Sequence, residues 1–289
     1  MIHDLTYRKM VHEALNDGER HADRTGVGTR SVFGACYKFD LQAGFPLVSA
    51  KKTPFMKAAH ELLWILSGST YVRDLQKRGV HIWDPWVTPE KLAMHDRDPD
   101  ALDLGPSYGH QWRDFGGEQS RHGCGTDQLA ELLKNLVCNP GSRRHLVTLW
   151  HPEDVVVLDP PPCLATYQFK VRADGMLDMC LYQRSLDLFL GAPFDLAEAG
   201  ILLTLLAHYT GLKPGTFTWM IGDMHVYENH VALAQTMLSR SAAIFNPCLR
   251  FVNGGNIGDL KALLATVPET DLLLSSYNPH PHMPAPVAV

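Results

Sequence analysis

The sequence has no apolar stretch long enough to cross a membrane. Its most apolar windows, 58–66 and 199–206, fall well short of the roughly 20 residues that a spanning helix needs. The first twenty residues alternate charged and apolar side chains and lack the apolar core of a signal peptide. We therefore expect no membrane association and a cytoplasmic location.

Paired cysteines and an excess of positive charge are also missing. The six cysteines include no CxxC pair, and 289 residues can build a core without disulfides. With 26 basic and 31 acidic residues the formal charge is −5, so we expect no nucleic-acid partner and only local arginines for any anionic ligand. No repeat, low-complexity tract or linker divides the chain. One domain over residues 1–289 is expected.

Helical and strand patterns both occur along the chain. Apolar residues at helical spacing predict helices over 7–15, 54–67, 127–137 and 197–209. Segments rich in β-branched and aromatic residues predict strands over 30–39, 144–150, 166–172 and 176–183. The class is therefore α+β. The polar segment 87–103 has two prolines and no apolar period, so we expect a surface insertion there.

A single thiol stands where the backbone is unusually restrained. Three prolines, 160–162, precede Cys163, which suits a nucleophile held in place, although a Pro-Cys pair is also common in turns leading into strands. About twenty residues later Arg184 lies in the polar run 183–187. Its guanidinium is suited to lower a thiol pKa or hold a phosphate, but equally to form a local ion pair. These residues alone leave both interpretations open.

Short motifs extend this site over nearly the whole chain. In order they are DRTGVGT (23–29), HELLW (60–64), IWD (82–84), GPSYG (105–109), SRR (142–144), PC (162–163), YQRSLDLFLG (182–191), GDMHVY (222–227) and PVAV (286–289). In this order and spacing the sequence resembles the thymidylate synthase family. The resemblance implies a three-layer α+β sandwich with a mixed β-sheet at a homodimer interface. It also implies one-carbon transfer from 5,10-methylenetetrahydrofolate to C5 of a pyrimidine nucleotide.

The resemblance assigns the catalytic roles. Cys163 matches the nucleophile that adds to C6 of the base, a conjugate addition that suits a soft thiolate. Glu61 matches a glutamate that organises water and moves protons. In an apolar helix its carboxylate must be buried with partners or protonated, which also fits a purely structural role. Tyr108 and Asp195 are the other residues with implied catalytic roles.

The binding residues are assigned in the same way. For the phosphate, one subunit supplies Arg24, Arg184 and Ser185, and the partner lends Arg143 and Arg144; four guanidinium groups suit bidentate binding of a phosphomonoester. The nucleoside is contacted by Gln183, Asp187, Asp195, His225 and Tyr227. The folate is contacted by Trp83, Asp187, Gly191 and Val289, and the tail 285–289 closes over the ligands. His225 and His230 have no matching third ligand, so no metal is expected.

Two departures from the family pattern concern the base. Asp195 stands where the family has an asparagine that reads uracil, and Leu164 stands where it has a histidine on the O4 side. A carboxylate accepts from the cytosine N4 amino group, and a carboxylic acid donates to N3, so Asp195 fits cytosine better than uracil. Glu198 and Ala199 also replace a usual serine and tyrosine and change the surroundings of the base.

These departures favour a dCMP hydroxymethylase among the possible activities. Ser185 is kept as in members that use deoxynucleotides, which favours dCMP over CMP. The alternatives are a dCMP methylase producing dihydrofolate, a CMP hydroxymethylase, an ordinary thymidylate synthase acting on dUMP, and a non-catalytic nucleotide-binding or RNA-binding homologue.

Overall fold

One mixed six-stranded sheet carries most of the residues singled out above. The computed structural model describes residues 2–117, 124–242, 244, 246–252, 260, 264 and 268–288. Its strands are β1 (Glu19–His21), β2 (Thr29–Asp40), β3 (Leu146–Thr148), β4 (Leu164–Val171), β5 (Met176–Asp187), β6 (Lys213–Tyr227), β7 (Cys248–Phe251) and β8 (Leu272–Ser275). The sheet order is β1-β2-β6-β5-β4-β3, with β5 and β6 parallel and the other neighbours antiparallel. Strands β7 and β8 pair separately.

Helices cover one face of this sheet. They are α1 (Ile2–Asn16), α2 (Phe55–Leu66), α3 (Val72–Gln76), α4 (Pro89–Ala93), α5 (Tyr108–Arg113), α6 (Gln128–Cys138), α7 (Gly191–Tyr209), α8 (Val231–Ser239) and α9 (Pro268–Asp271). Helices α1 and α7 pack on the sheet, and α2 packs on α7. Sheet, first helical layer and second helical layer thus form an α+β stack, and the predicted fold class is confirmed.

The predicted helices and strands are found, but several begin or end elsewhere than expected, and the shifts at α7 and β5 concern the site. Helix α7 starts at Gly191 rather than at 197, since Asp187 Oδ1 accepts the N–H groups of Phe189 and Leu190 at 2.8 and 3.3 Å. Pro193 lies in the first turn, where a missing N–H costs nothing. The early start places residue 195 on the helix.

The central strands also differ from the prediction. Strand β5 continues to Asp187, so the run 183–187 belongs to the sheet, and β6 pairs with both β2 and β5. From the sequence, only the 225–227 end of β6 is expected to be a strand. The structure therefore brings the carboxyl ends of two parallel strands to the same edge.

The other face of the sheet is not covered by a helix in the described part of the chain. Phe33, Tyr182 and Met220 lie on the neighbouring strands β2, β5 and β6 and are 83%, 44% and 46% exposed. Exposed apolar side chains grouped on one face are typical of an interaction surface.

The segment 87–103 contains the helix α4, whose Leu92 is buried. The Arg97 guanidinium donates to the carbonyl groups of Leu104 and Val157, at 2.6 and 2.5 Å. These contacts tie the segment to its neighbours. None of the helices described is long and apolar enough to cross a membrane.

Candidate functional site

Cys163 lies immediately before β4 and is held by its backbone. Its N–H donates to Tyr108 Oη at 2.7 Å, and its carbonyl accepts the Arg184 N–H at 2.9 Å. These two bonds come from α5 and β5, on either side of the thiol. The half-buried sulfur is thus placed by two neighbouring elements.

The Arg184 side chain lies beside this thiol. Its Nε and Nη2 donate to the carbonyls of Pro162 and Pro161, both at 2.8 Å, and Nη2 lies 3.8 Å from Cys163 Sγ. Burial raises the pKa of the Cys163 thiol overall and Asp195 adds to this, while the charges of Arg184 and Arg24 oppose the shift. The proline run therefore has a second function, which is to hold the arginine that stabilises a thiolate.

Asp195 is oriented by a hydrogen-bonded chain from the sheet. Trp219 Nε1 donates to Gln183 Oε1 at 2.9 Å, which directs the Gln183 amide nitrogen to Asp195 Oδ2, at 2.7 Å. An indole nitrogen only donates, so the orientation of the glutamine amide is fixed. No residue of the described ranges donates to Asp195 Oδ1, so this oxygen remains available to a ligand.

The charge on Asp195 is finely balanced. Burial raises the pKa of this carboxyl to about 7, with further raising by Glu61 and Asp187, and the Gln183 hydrogen bond opposes the shift. Asp195 therefore exists in both protonation states near neutral pH. It can accept or donate at its free oxygen.

Glu61 and Glu198 form a buried carboxyl pair between α2 and α7. They are 8% and 6% exposed and lie within hydrogen-bond distance of each other. Glu61 Oε1 accepts the Trp83 Nε1–H at 2.7 Å. Burial raises the pKa of both carboxyls. As expected from its apolar helix, Glu61 is buried with partners.

Aromatic rings connect this pair to the thiol. The centroids of the Trp83 and Tyr108 rings are 6.1 Å apart in an edge-on arrangement. Contacts thus lead from Cys163 through Tyr108 and Trp83 to Glu61. The structure brings these residues together around one site.

A second group of predicted residues stands at the ends of β5 and β6. His225 pairs in register with Asp187, and its ring packs edge-on against Tyr227 with centroids 5.1 Å apart. His225 Nδ1 is 2.9 Å from Asp223 Oδ1, and its buried Nε2 has no partner in the described structure. Burial lowers the His225 pKa, but the hydrogen bonds to Asp223 and the charges of Asp187 and Asp223 together outweigh it, so the pKa is raised overall. Because Nδ1 donates to the Asp223 carboxylate, the free Nε2 accepts a hydrogen bond from a ligand when the ring is neutral and donates one when the ring is protonated.

Three of the predicted phosphate residues stand apart from the thiol. Arg24 is exposed, although its charge reaches Cys163. Arg143 and Arg144 are exposed beside β3, and their guanidinium groups have no hydrogen-bond or ion-pair partner in the resolved ranges. Ser185 is half-buried on β5, next to Arg184. Of the predicted phosphate residues, all of which the structure describes, Arg184 is the one that contacts the nucleophile within one chain.

The predicted folate residues are only partly grouped. Asp187 already receives two backbone N–H groups on Oδ1, and Gly191 is the first residue of α7. The tail reaches the site through Pro286, whose carbonyl lies 2.8 Å from His230 Nε2. Val289 lies outside the described residues.

Three contacts were missed by sequence reasoning: the Glu61–Glu198 pair, the Trp219–Gln183 bond and the Asp223–His225 bond. One signal was available. Glu198 follows Asp195 by three residues in an apolar segment, and residues at that spacing share a helix face. That signal becomes readable only when α7 is known to begin at Gly191, before Asp195.

Comparison with known families accounts for this arrangement. Residues 5–289 match the model of the thymidylate synthase family. The chain therefore belongs to the thymidylate synthase family, whose enzymes transfer one-carbon groups to C5 of pyrimidine nucleotides with a folate. Members of the family bind a nucleotide and a folate and are dimers.

Proposed function

We propose that the chain is a dCMP hydroxymethylase, which converts dCMP, 5,10-methylenetetrahydrofolate and water to 5-hydroxymethyl-dCMP and tetrahydrofolate. The observation that carries the base assignment is the Gln183 bond to Asp195 Oδ2. It leaves Oδ1 for the substrate. Cytosine presents an N4 donor and an N3 acceptor, and a carboxyl with a pKa of about 7 satisfies either one at neutral pH.

Uracil fits the same oxygen poorly. Uracil O4 is an acceptor, and the carboxylate oxygen of an ionised Asp195 is also an acceptor, so the two cannot form a hydrogen bond. A buried polar group left without its hydrogen bond costs about 1–3 kcal/mol, and more when it is charged. Leu164, buried beside the nucleophile, offers no polar group to offset that cost.

The nucleophilic step belongs to Cys163. Its thiolate adds to C6 of the base, and Arg184, 3.8 Å from the sulfur, stabilises the negative charge before the bond forms. Tyr108 and the Arg184 backbone keep the thiol in place, so little motion is needed at the moment of attack.

The sugar and phosphate are bound at the ends of β5 and β6. His225 Nε2 and Tyr227 Oη are the groups that we assign to the sugar 3′-hydroxyl, because the histidine nitrogen is buried without a partner in the described chain. Arg24, Arg184 and Ser185 bind the phosphate from the same subunit. The preference for dCMP over CMP rests on Ser185.

A second copy of the chain completes the phosphate site. The exposed face with Phe33, Tyr182 and Met220 is the surface that we assign to a homodimer interface. Arg143 and Arg144 then extend from one subunit to the phosphate of the other, which gives their free guanidinium groups a partner.

The residues present fit a folate beside the nucleotide. Trp86 Nε1 is a buried donor without a partner in the described structure, and Asp187 Oδ2 receives no hydrogen bond there. A pterin ring offers both acceptors and N–H donors to such groups. Trp83 and Trp86, with ring centroids 5.6 Å apart, supply aromatic surface. When bound, the folate supplies the one-carbon unit.

The final step distinguishes hydroxymethylation from methylation. In the first, water attacks the methylene carbon on C5, and in the second a hydride from the folate reduces it. The buried pair of Glu61 and Glu198 gives the site a carboxylate that holds and deprotonates a water. We therefore assign the water-terminated reaction.

A product assay tests the proposed function. The purified protein is given dCMP, CMP and dUMP separately with 5,10-methylenetetrahydrofolate, while products are followed by mass spectrometry and dihydrofolate by absorbance. We expect hydroxymethylated dCMP without dihydrofolate. Methylated dCMP with one equivalent of dihydrofolate would replace water by hydride, and turnover of dUMP alone would refute the role of Asp195. Nucleotide binding without a covalent adduct would indicate a non-catalytic homologue.

A further inference from the structure

Glu198 is a buried carboxyl group beside a second carboxyl group, that of Glu61. It lies on α7 one turn after Asp195 and within hydrogen-bond distance of Glu61 on α2. Its Oε1 is completely buried and receives no hydrogen bond from any residue that the structure describes. Glu61, in contrast, accepts the Trp83 indole N–H.

This asymmetry assigns the proton within the pair. An ionised carboxylate requires donors, and only Glu61 has one. Glu198 is satisfied when it is protonated and donates its O–H to Glu61. The pKa of Glu198 is raised well above its ordinary value by burial and by Glu61, and the Glu198 hydrogen bond moderates the raised pKa of Glu61. When the pair holds a single proton, the donors place that proton on Glu198 and the negative charge on Glu61.

Such a pair does not serve stability. Burying two carboxyl groups with few donors costs free energy, and an apolar pair of similar volume would pack at lower cost. Glu198 lies three residues after Asp195 on α7, so the two carboxyls share a side of the helix. Two carboxyls that share one proton are a recognised means of activating water.

We propose that Glu198 is a positioning residue of the C5 transfer reaction: as the protonated partner it holds Glu61 ionised and oriented, so that Glu61 deprotonates the water that attacks the methylene carbon. This inference rests on the proposed hydroxymethylase function. The water oxygen forms a bond to the methylene carbon, and its proton passes to Glu61. The electron pair of the exocyclic double bond moves into the ring and then expels the Cys163 thiolate from C6. Protonated Glu61 returns its proton to solvent.

The test measures whether water or a competing thiol attacks the methylene carbon. E198L keeps roughly the volume of the side chain but removes the donor to Glu61, whereas E198Q keeps a neutral donor. The assay contains dCMP, 5,10-methylenetetrahydrofolate and 2-mercaptoethanol, since a soft thiol competes with water for an electrophilic carbon. We expect the ratio of hydroxymethyl product to thioether product to fall about tenfold in E198L and to be largely restored in E198Q, with the KM for dCMP changed less than about threefold. T204V is the matched control, because Thr204 Oγ1 only bonds the Gly200 carbonyl on the same helix.

A second measurement needs no turnover. Infrared spectra of the nucleotide-free protein at neutral pH should show a protonated carboxylic acid band that loses intensity in E198Q and not in T204V. An unchanged product ratio in folded E198L, or an unchanged band in folded E198Q, would overturn the inference while leaving the proposed function intact. Absence of hydroxymethyl product from the unmutated protein would overturn the proposed function and this inference with it.

Discussion

The two ends of the site are built in opposite ways. At the base end, Asp195, Glu61 and Glu198 are enclosed by the chain's own residues, and most of their contacts are present without a ligand. At the phosphate end, Arg24, Arg143 and Arg144 are exposed. One end is complete within one chain, and the other is open.

The difference follows from charge. Carboxyl groups are costly to bury, and the raised pKa values of Asp195 and Glu198 follow from that cost. Arginines stay charged at any working pH and need only water until an anion arrives. In our proposal, the groups that select the base are therefore preorganised, whereas the phosphate site is assembled when the nucleotide and a second copy of the chain meet.

The largest effect is expected from changing the preorganised end. D195N places an amide where cytosine needs an acceptor for N4 and where uracil accepts a donor at O4. dCMP loses a hydrogen bond worth about 2 kcal/mol and dUMP gains one of the same size. Together these changes should shift the ratio of kcat/KM for dCMP to kcat/KM for dUMP by about 10³ towards dUMP. Steady-state kinetics with both nucleotides measure it.

D17N is the matched control for this substitution, because Asp17 is exposed at the end of α1. It should leave the ratio unchanged. A D195N protein that binds dCMP normally and gains no dUMP turnover would contradict the assignment of Asp195 as the base reader.

A smaller effect is expected at the open end. R143Q/R144Q removes charge-assisted hydrogen bonds to the phosphate and should raise the KM for dCMP about 10- to 100-fold, with less effect on kcat. R172Q, which removes an exposed arginine paired with Asp174, should leave KM unchanged.

Mixing variants tests whether these arginines act across subunits. R143Q/R144Q and C163S each lack one part of the site. A mixed dimer contains one intact site, so exchange of subunits should restore turnover at low dCMP. No recovery from a mixture shown to contain mixed dimers would place both arginines in their own subunit's site.

The same contrast explains how much the sequence could predict. The helices and strands follow from local periodicity, and Glu61 in an apolar helix already requires burial with partners. The start of α7 does not follow, because it depends on the Asp187 carboxylate accepting two backbone N–H groups. Unless α7 is known to begin before residue 195, the sequence does not show that Asp195 and Glu198 lie on the same face of a helix. The Trp219–Gln183 contact joins residues 36 positions apart and has no local signal.

The smallest effect concerns stability, and its sign follows from the raised pKa of Asp195. This carboxyl titrates near 7 in the folded protein and near 3.9 when unfolded. Between these two pKa values the folded state binds more protons than the unfolded state. The contribution of Asp195 to the free energy of unfolding is therefore full at low pH and is lost as the pH rises through about 7. D195N removes this loss. The Tm of D195N minus that of the unmutated protein should therefore be about 4 °C larger at pH 8 than at pH 5, which corresponds to about 2 kcal/mol.

Calorimetry at both pH values measures this difference, with D17N as the reference. An equal Tm difference at pH 5 and pH 8 would show that Asp195 does not carry its raised pKa in the folded protein, and the balance between accepting and donating at the base would have to come from elsewhere.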